Sequence, residues 1–374
     1  MQKHFKLIVD SLCEVYDLLV PYLDGEFYDI NSETIVPNAV YLIGRKQFHD
    51  NITLIKQLVD THSILPVLAN PAEGSDTIRW QVYKLDIVDL VQQGKIVILT
   101  GGDLPNELTN FHYENFMPKL LDYQENINAA AQYQQSWTVS RPYKFLFLNG
   151  RARPHRRYLI KRLEHLLPDT LWTNLDSTVC GSRELEYLIN GQDQLLIPGK
   201  IKLLDQQYEF DFYQSNMDLP LSGFVKYQLF DHQWGEIYIK ANTYIDTYFS
   251  LVTETVFEYS YSFRTEKIWK PICIGHPFIA VGNRGYYRDL QQLGYRTFGN
   301  LIDESFDQID NSQDRIDRIA AVVEDLCNQN LSSFVMAADE TCKYNQQLLA
   351  ELGPQVRQEF PQRLIKYFNE RFRI

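Results

Sequence analysis

In the first part of the chain, short continuous apolar runs alternate with stretches whose apolar residues recur at helical spacing. Short apolar, β-branched runs cover residues 39–43, 64–68 and 95–100, and each ends in polar or glycine-rich residues. Between them, residues 45–60 and 80–93 carry apolar positions at helical spacing, and a further helical stretch covers residues 111–135. Strands that alternate with helices in this way predict βαβ units and a parallel sheet.

A second α/β pattern follows from residue 141 onwards. Its apolar runs predict strands at residues 143–149, 171–175, 248–253 and 277–281. Helical spacing predicts helices at residues 154–167, 287–293 and 312–328, and two more helical stretches end the chain. Residues 199–230 mix Gly, Pro and aromatic residues, which predicts an irregular or hairpin-rich segment.

The polar residues 134–140, ahead of Arg141-Pro142, are typical of a linker between two domains. We therefore expect an α/β fold of two Rossmann-like domains that face a cleft, followed by C-terminal helices. The expected domains are residues 1–140 and 141–330, with the helices at 331–374. Ligands bind outside the carboxyl ends of the strands in such sheets, so site residues should directly follow strands.

The amino-acid composition limits the kinds of partner and the location that we expect for this protein. The chain has 374 residues, 45% hydrophobic and 22% charged, with a net charge of −12. This acidity disfavours non-specific binding to nucleic acid, so we expect no nucleic-acid partner. The five cysteines are widely spaced without a C-x-x-C, which indicates reduced thiols. Acidic residues interrupt the apolar N-terminal patches and no long apolar run follows, so we expect a cytoplasmic protein with no membrane span.

The segment from Ser262 to Asn283 runs from a polar turn into a short helix, through a glycine and into an apolar strand. Thr265 is a good N-cap residue, and Glu266 and Lys267 fall in the first turn of the helix. A helix start carries partial positive charge and N–H groups, so it favours an anion. With a lysine for a phosphate and a glutamate for a ribose hydroxyl, the pattern is typical of a nucleotide-diphosphate site. The alternative is a capped surface helix with solvated charges.

Three other segments follow predicted strands. Residues 149–157, N-G-R-A-R-P-H-R-R, place five cationic or titratable groups before a helix and favour an anion site over a basic face paired with carboxylates. In S-L-V-T-E-T, residues 250–255, Glu254 should emerge near the cleft, or else be a solvated strand-end residue. In T-G-G-D, Asp103 is a candidate general base, although a tight turn is the stronger interpretation.

Together these segments resemble the family-ten glycosyltransferases, the α-1,3-fucosyltransferase group. Leu251 to Thr255 stands where that family has an F-E-N-S-like strand end, and Thr265-Glu266-Lys267-Ile268 matches its T-E-K helix. Gly275 to Gly282 matches its glycine-proline step into a strand, and Asn149 with Arg156 matches its upstream strand and helix. Thr255 departs from the family's Asn, and Pro271 inside the helix should kink or shorten it.

The resemblance implies a two-domain, GT-B-like glycosyltransferase. The first domain would be the acceptor side and the second would bind a GDP- or UDP-sugar. Arg156 and Lys267 would hold the diphosphate, Glu266 the ribose, and Glu254 would lie beside the sugar. Asn149, Thr253 and Thr265 complete the implied donor-binding set. The sugar, fucose among the candidates, would pass with inversion to a hydroxyl acceptor such as a glycan, with no cofactor.

The absence of standard motifs is compatible with this interpretation. The sequence has no G-x-x-x-x-G-K-[ST], no G-x-G-x-x-G and no H-E-x-x-H, which disfavours P-loop ATPases, standard dinucleotide enzymes and zincins. We expect no metal site. Two alternatives stay open: a glycosyltransferase that modifies phage or viral DNA, and a non-catalytic module of the same fold that binds a nucleotide or another anion.

Overall fold

The computed structural model describes most of the chain, with gaps at several loops and one long segment. Its described residues are 6–10, 13–22, 35–37, 39–61, 64–74, 81–102, 110–149, 153–174, 199–203, 206–210, 237–258 and 261–371. They divide into two compact units, one of residues 1–118 together with 352–374, and the other of residues 119–351. Within the described ranges, no helix is both long and apolar enough to span a membrane.

The first unit is built on a five-stranded parallel sheet in which neighbouring strands follow chain order. The strands are β1 (Lys6–Val9), β2 (Ala39–Gly44), β3 (Leu65–Asn70), β4 (Val97–Thr100) and β5 (Asn110–His112). The helices along this part of the chain are α1 (Tyr16–Leu19), α2 (Arg45–Asp50), α3 (Ile52–Thr61), α4 (Val88–Gln92) and α5 (Phe116–Leu121). The predicted parallel α/β pattern of this region is therefore confirmed.

Each face of this sheet has its own hydrophobic core. Ile43, Leu68 and Ile98 lie in a cluster with residues of α2, α3 and α4. Their strand neighbours lie in a second cluster, which includes Phe360 and Leu364 near the C-terminus. A strand that is buried on both faces must be apolar at every position. This explains why β2, β3 and β4 have continuous apolar runs instead of alternating patterns.

The second unit holds a four-stranded parallel sheet in the order β11-β10-β6-β7. Its strands are β6 (Tyr143–Asn149), β7 (Leu171–Asn174), β10 (Thr247–Thr253) and β11 (Phe278–Val281), and an antiparallel hairpin is formed by β8 (Gly199–Leu203) and β9 (Gln206–Phe210). The remaining helices are α6 (Gln124–Gln135), α7 (Pro154–Arg162), α8 (Ala241–Ile245), α9 (Glu266–Ile274), α10 (Tyr286–Gln292), α11 (Ser312–Cys327) and α12 (Leu331–Arg371).

Three details differ from the sequence-based expectation. Phe111 lies in β5 instead of starting a helix, because Asn110 to His112 pair with β4 and Phe111 is buried in the core. The two expected C-terminal helical stretches form one helix, α12, which contains Pro354 and Pro361. The chain passes from the first compact unit to the second within α5 and not at residue 140, because α6 packs on α8 and α9 of the second unit.

Candidate functional site

The sheet of the second unit contains a topological switch point. From β6 the chain passes through α7 to β7 on one side, whereas from β10 it passes through α9 to β11 on the other. In open α/β sheets, ligands bind outside the carboxyl ends of the strands at such a point. Asn149 ends β6 and Thr253 ends β10, and the Thr253 hydroxyl donates to Asn149 Oδ1 at 2.7 Å. The two strand ends are thus joined where a ligand is expected.

The first turn of α7 packs against the end of β10. Arg156 is buried and donates from Nη2 to the carbonyl oxygens of Thr253 at 2.9 Å and Glu254 at 3.3 Å. His155 Nε2 lies 2.9 Å from the same Glu254 oxygen and carries the proton, because a carbonyl oxygen only accepts. Burial, reinforced by Arg156 and Arg153, holds the pKa of His155 well below its usual range. Both side chains therefore hold the strand end in place.

Glu254, the residue after β10, is a fully buried carboxylate. Its Oε1 accepts from the Thr265 N–H at 3.1 Å and from the Tyr286 hydroxyl at 2.9 Å, and its Oε2 accepts from the Thr265 hydroxyl at 2.7 Å. Burial raises the pKa of this carboxyl, whereas Lys267 and Thr265 act in the opposite direction. Three donors on two oxygens satisfy the ionised form. Glu254 thus connects β10 to the starts of α9 and α10.

The start of α9 has the geometry that the sequence predicts. Thr265 is extended and caps the helix by accepting from the Lys267 N–H at 3.4 Å. Lys267 Nζ donates to Thr265 Oγ1 at 3.1 Å and forms an ion pair with Glu266 Oε1 at 2.6 Å. Burial alone would raise the pKa of Glu266, but Lys267 and Lys270 hold it below its usual range. The Lys267 side chain is 23% exposed, so a cation is accessible at a helix N-terminus.

Two glycines follow the ends of α9 and β11, and each has a structural role. Gly275 ends α9 with φ 78°, and the His276 N–H donates to Pro271 O at 2.8 Å, as in a Schellman motif. Pro271 does not end the helix, which continues to Ile274. After β11, a Cβ on Gly282 would lie 2.5 Å from Cδ2 of Tyr286. The lack of a side chain at Gly282 therefore lets the Tyr286 ring approach, and its hydroxyl reaches Glu254.

Sequence reasoning missed two residues near these strand ends. Tyr286 supplies one of the three hydrogen bonds to Glu254. Asn283 follows β11, is 1% exposed, and donates from Nδ2 to Arg284 O at 2.8 Å, while its Oδ1 has no hydrogen-bond partner in the described part of the chain. The rule that site residues follow strands would have found Asn283. Only the folded backbone brings the hydroxyl of Tyr286 to Glu254.

The structure brings seven of the predicted site residues into one continuous set of contacts. They are Asn149, Arg156, Thr253, Glu254, Thr265, Glu266 and Lys267. The eighth, Asp103, lies outside the described residues. Among the residues that the structure does describe, no three His, Cys, Asp or Glu side chains are grouped in a way that could hold a metal ion.

Comparison with known proteins adds no functional information. No family model and no curated protein matches the chain. Among solved structures, the chain is similar to the N-terminal domain of Candida albicans trehalose-6-phosphate phosphatase, with 11% identity and a TM-score of 0.37. The match covers 86% of this chain and 70% of that one. Such a distant similarity says nothing about the chemistry of the site.

Proposed function

We propose that the second unit binds the diphosphate of a nucleotide sugar, and that the protein is a glycosyltransferase. In this proposal a sugar passes from a GDP- or UDP-sugar to a hydroxyl acceptor such as a glycan, without a metal ion, in a GT-B-like arrangement of two α/β domains. The observation that carries the proposal is the start of α9. A capped helix N-terminus with a partly exposed lysine lies in contact with the strand ends at a topological switch point.

The contacts suggest a division of roles among the seven residues. Lys267 and the N–H groups at the start of α9 would bind the diphosphate, and Glu266 would accept from a ribose hydroxyl. Lys267 Nζ already pairs with Glu266, so a phosphate oxygen would share or replace an existing partner of this cation. Arg156 and Glu254 are buried and engaged by backbone and hydroxyl groups. Their role would be to position the strand end and the helix start instead of touching the sugar.

The chemistry would be displacement at an anomeric carbon. The leaving group is a nucleoside diphosphate, whose developing charge Lys267 and the helix N-terminus would stabilise electrostatically. A base must take the proton of the acceptor hydroxyl, and Asp103 remains the sequence-based candidate for that role. Cationic side chains would then supply the stabilisation that a metal ion supplies in other enzymes.

A thermal-shift and calorimetric panel of GDP, UDP, ADP and CMP tests the donor site. A ligand that binds only the folded state raises the unfolding temperature by mass action, and we expect GDP or UDP to do so. Lys267→Met keeps the aliphatic stem and should weaken binding by about tenfold or more, as expected when a charged phosphate contact is lost. Lys270→Met is the matched control, because it removes the same charge one turn further along α9.

Three results would separate the alternatives. If no nucleotide raises the unfolding temperature, or if Lys267→Met and Lys270→Met weaken binding equally, the donor site at α9 is wrong. If a nucleotide binds but no nucleotide sugar is hydrolysed or transferred, the protein is a non-catalytic module of this fold. Retention on DNA at moderate salt would instead favour a nucleic-acid acceptor.

A further inference from the structure

Asn283, which follows β11 in the second unit, has a buried hydrogen-bond acceptor that the fold does not use. Its side chain is 1% exposed, and Nδ2 donates to Arg284 O at 2.8 Å. Because a carbonyl oxygen only accepts, this bond fixes which end of the amide is the nitrogen. The other end, Oδ1, has no hydrogen-bond partner in the described part of the chain. A buried acceptor without a donor is costly to the fold, so it calls for an explanation.

The turn that contains Asn283 is connected to the start of α9. The Tyr286 N–H donates to Asn283 O at 3.2 Å, and the Tyr286 hydroxyl donates to Glu254 Oε1 at 2.9 Å. The same carboxylate oxygen accepts from the Thr265 N–H, the cap residue of α9, at 3.1 Å. The turn after β11 and the start of α9 are thus held on one oxygen atom. A nucleotide with its diphosphate at α9 would have its nucleoside near this turn.

The order of the strands indicates which part of a nucleotide this turn would contact. β10, α9 and β11 form a βαβ unit, and the parallel pairing of Thr253 with Val281 sets the two strand ends side by side. In dinucleotide-binding sheets, an acidic residue about 20 positions after the phosphate-binding turn accepts from the ribose 2′-hydroxyl. Asn283 has the corresponding place, after the strand that follows α9. Its amide oxygen can accept from the same hydroxyl without adding a charge.

We propose that Asn283 binds the 2′-hydroxyl of the nucleoside ribose and restricts the site to ribonucleotides. This inference rests on the proposed function, because it needs a nucleotide at the start of α9. Glu266, whose Oε1 pairs with Lys267 Nζ at 2.6 Å, would then accept from the other ribose hydroxyl. A 2′-deoxynucleotide would leave the buried Oδ1 of Asn283 without a donor. A site built to bond a hydroxyl discriminates against the analogue that lacks it for this reason.

Titration calorimetry on the full chain tests this proposal with GDP, UDP and their 2′-deoxy forms. We expect the 2′-deoxy form of the nucleotide that binds to have about tenfold weaker affinity, because one hydrogen bond to a buried acceptor is lost. Lys267→Met should weaken the ribose and the deoxyribose forms by the same factor, since this side chain would contact the diphosphate. The ratio of the two affinities therefore reports on the ribose contact alone.

Asn283→Leu, similar in size but apolar, should abolish this ratio. The variant should bind the ribose form as weakly as the deoxyribose form, because the acceptor is gone. Asn345→Leu is the matched control: Asn345 is also 1% exposed, but its Nδ2 donates to Arg296 O and its Oδ1 accepts from the Arg296 N–H, both at 2.8 Å. The control should lose more stability than Asn283→Leu, since both ends of its amide are bonded, and it should keep the tenfold preference for the ribose form.

Two outcomes would overturn this proposal and leave the donor site at α9 intact. One is that the wild type binds the ribose and deoxyribose forms equally. The other is that Asn283→Leu keeps the preference for the ribose form, which would mean that a different residue binds this hydroxyl. If the wild type binds none of the four nucleotides, the donor site and the role of Asn283 are both wrong. Asn283→Ala provides the same readout if Asn283→Leu does not fold.

Discussion

Replacing Thr265 by valine tests whether Glu254 positions the start of α9. Valine has nearly the same shape as threonine, so the change leaves no cavity and removes only the hydroxyl. Three contacts are lost: donation to Glu254 Oε2 at 2.7 Å, the cap to the Lys267 N–H at 3.4 Å, and acceptance from Lys267 Nζ at 3.1 Å. The first of these is a charge-assisted bond to a fully buried carboxylate.

The expected cost follows from the separate contacts. A hydrogen bond to a buried charged group contributes about 1.5–3 kcal/mol. Loss of an N-cap costs about 0.5–2 kcal/mol, and the long 3.4 Å distance places this cap near the lower limit. We therefore expect Thr265→Val to lower the free energy of unfolding by about 2–3.5 kcal/mol. Thr265→Ser keeps the hydroxyl and should cost far less.

Urea unfolding of the full chain, followed by circular dichroism, measures both variants. Tyr286→Phe removes the other hydroxyl donor to Glu254, at 2.9 Å, and completes a double-mutant cycle. Since both hydroxyls donate to one carboxylate, the two losses should not add. If the donor site is correct, Thr265→Val also weakens nucleotide binding, because the first turn of α9 loses its cap.

The reasoning is refuted if Thr265→Val and Thr265→Ser have equal stability. It is also refuted if the losses from Thr265→Val and Tyr286→Phe add without coupling. Either result would mean that Glu254 does not hold the two helix starts through these hydroxyls.

Two further predictions concern the segments around α10. Burial raises the pKa of Glu304 from 4.5 to about 7, so the folded state binds this proton more tightly than the unfolded state does. The free energy of unfolding should therefore fall by at most about 3 kcal/mol as the pH rises between these two pKa values. Glu304→Gln should flatten this dependence in urea titrations from acid to neutral pH, whereas the exposed Glu351→Gln should not; parallel profiles for all three proteins would contradict the shift. Gly282→Ala should cost about 1–3 kcal/mol by overpacking against the Tyr286 ring, and the loss should shrink in a Tyr286→Leu background; an undiminished loss there would show that the ring is not the obstacle.

Much of the fold could be predicted because it is encoded in short stretches of sequence. Residues 39–43 and 65–69 form continuous apolar runs, since each strand is buried on both faces of a parallel sheet. Thr265 caps α9 through a hydrogen bond within its own first turn, and Gly275 ends the helix in the left-handed conformation. Such signals depend on neighbours a few residues away, so the sequence alone identifies them.

The position of Phe111 shows where local signals are insufficient. Its apolar spacing with later residues fits a helix, yet pairing with β4 and burial against the C-terminal part of α12 place it in β5. The competing interaction comes from residues far along the chain, which periodicity does not register.

The candidate site likewise has some features that the sequence predicts and others that depend on the tertiary structure. The sequence alone identifies the residues that follow strands and the charged residues in the first turn of α9. For this reason, seven predicted residues lie together at one sheet edge. Only the tertiary structure decides the order β11-β10-β6-β7 that creates the switch point, and the burial of Arg156 and Glu254 in contact with Thr253 and Thr265. Residue type tells which groups can bind an anion. Contacts between residues about a hundred positions apart, such as Arg156 with Thr253, decide which of these groups face solvent and which support the backbone.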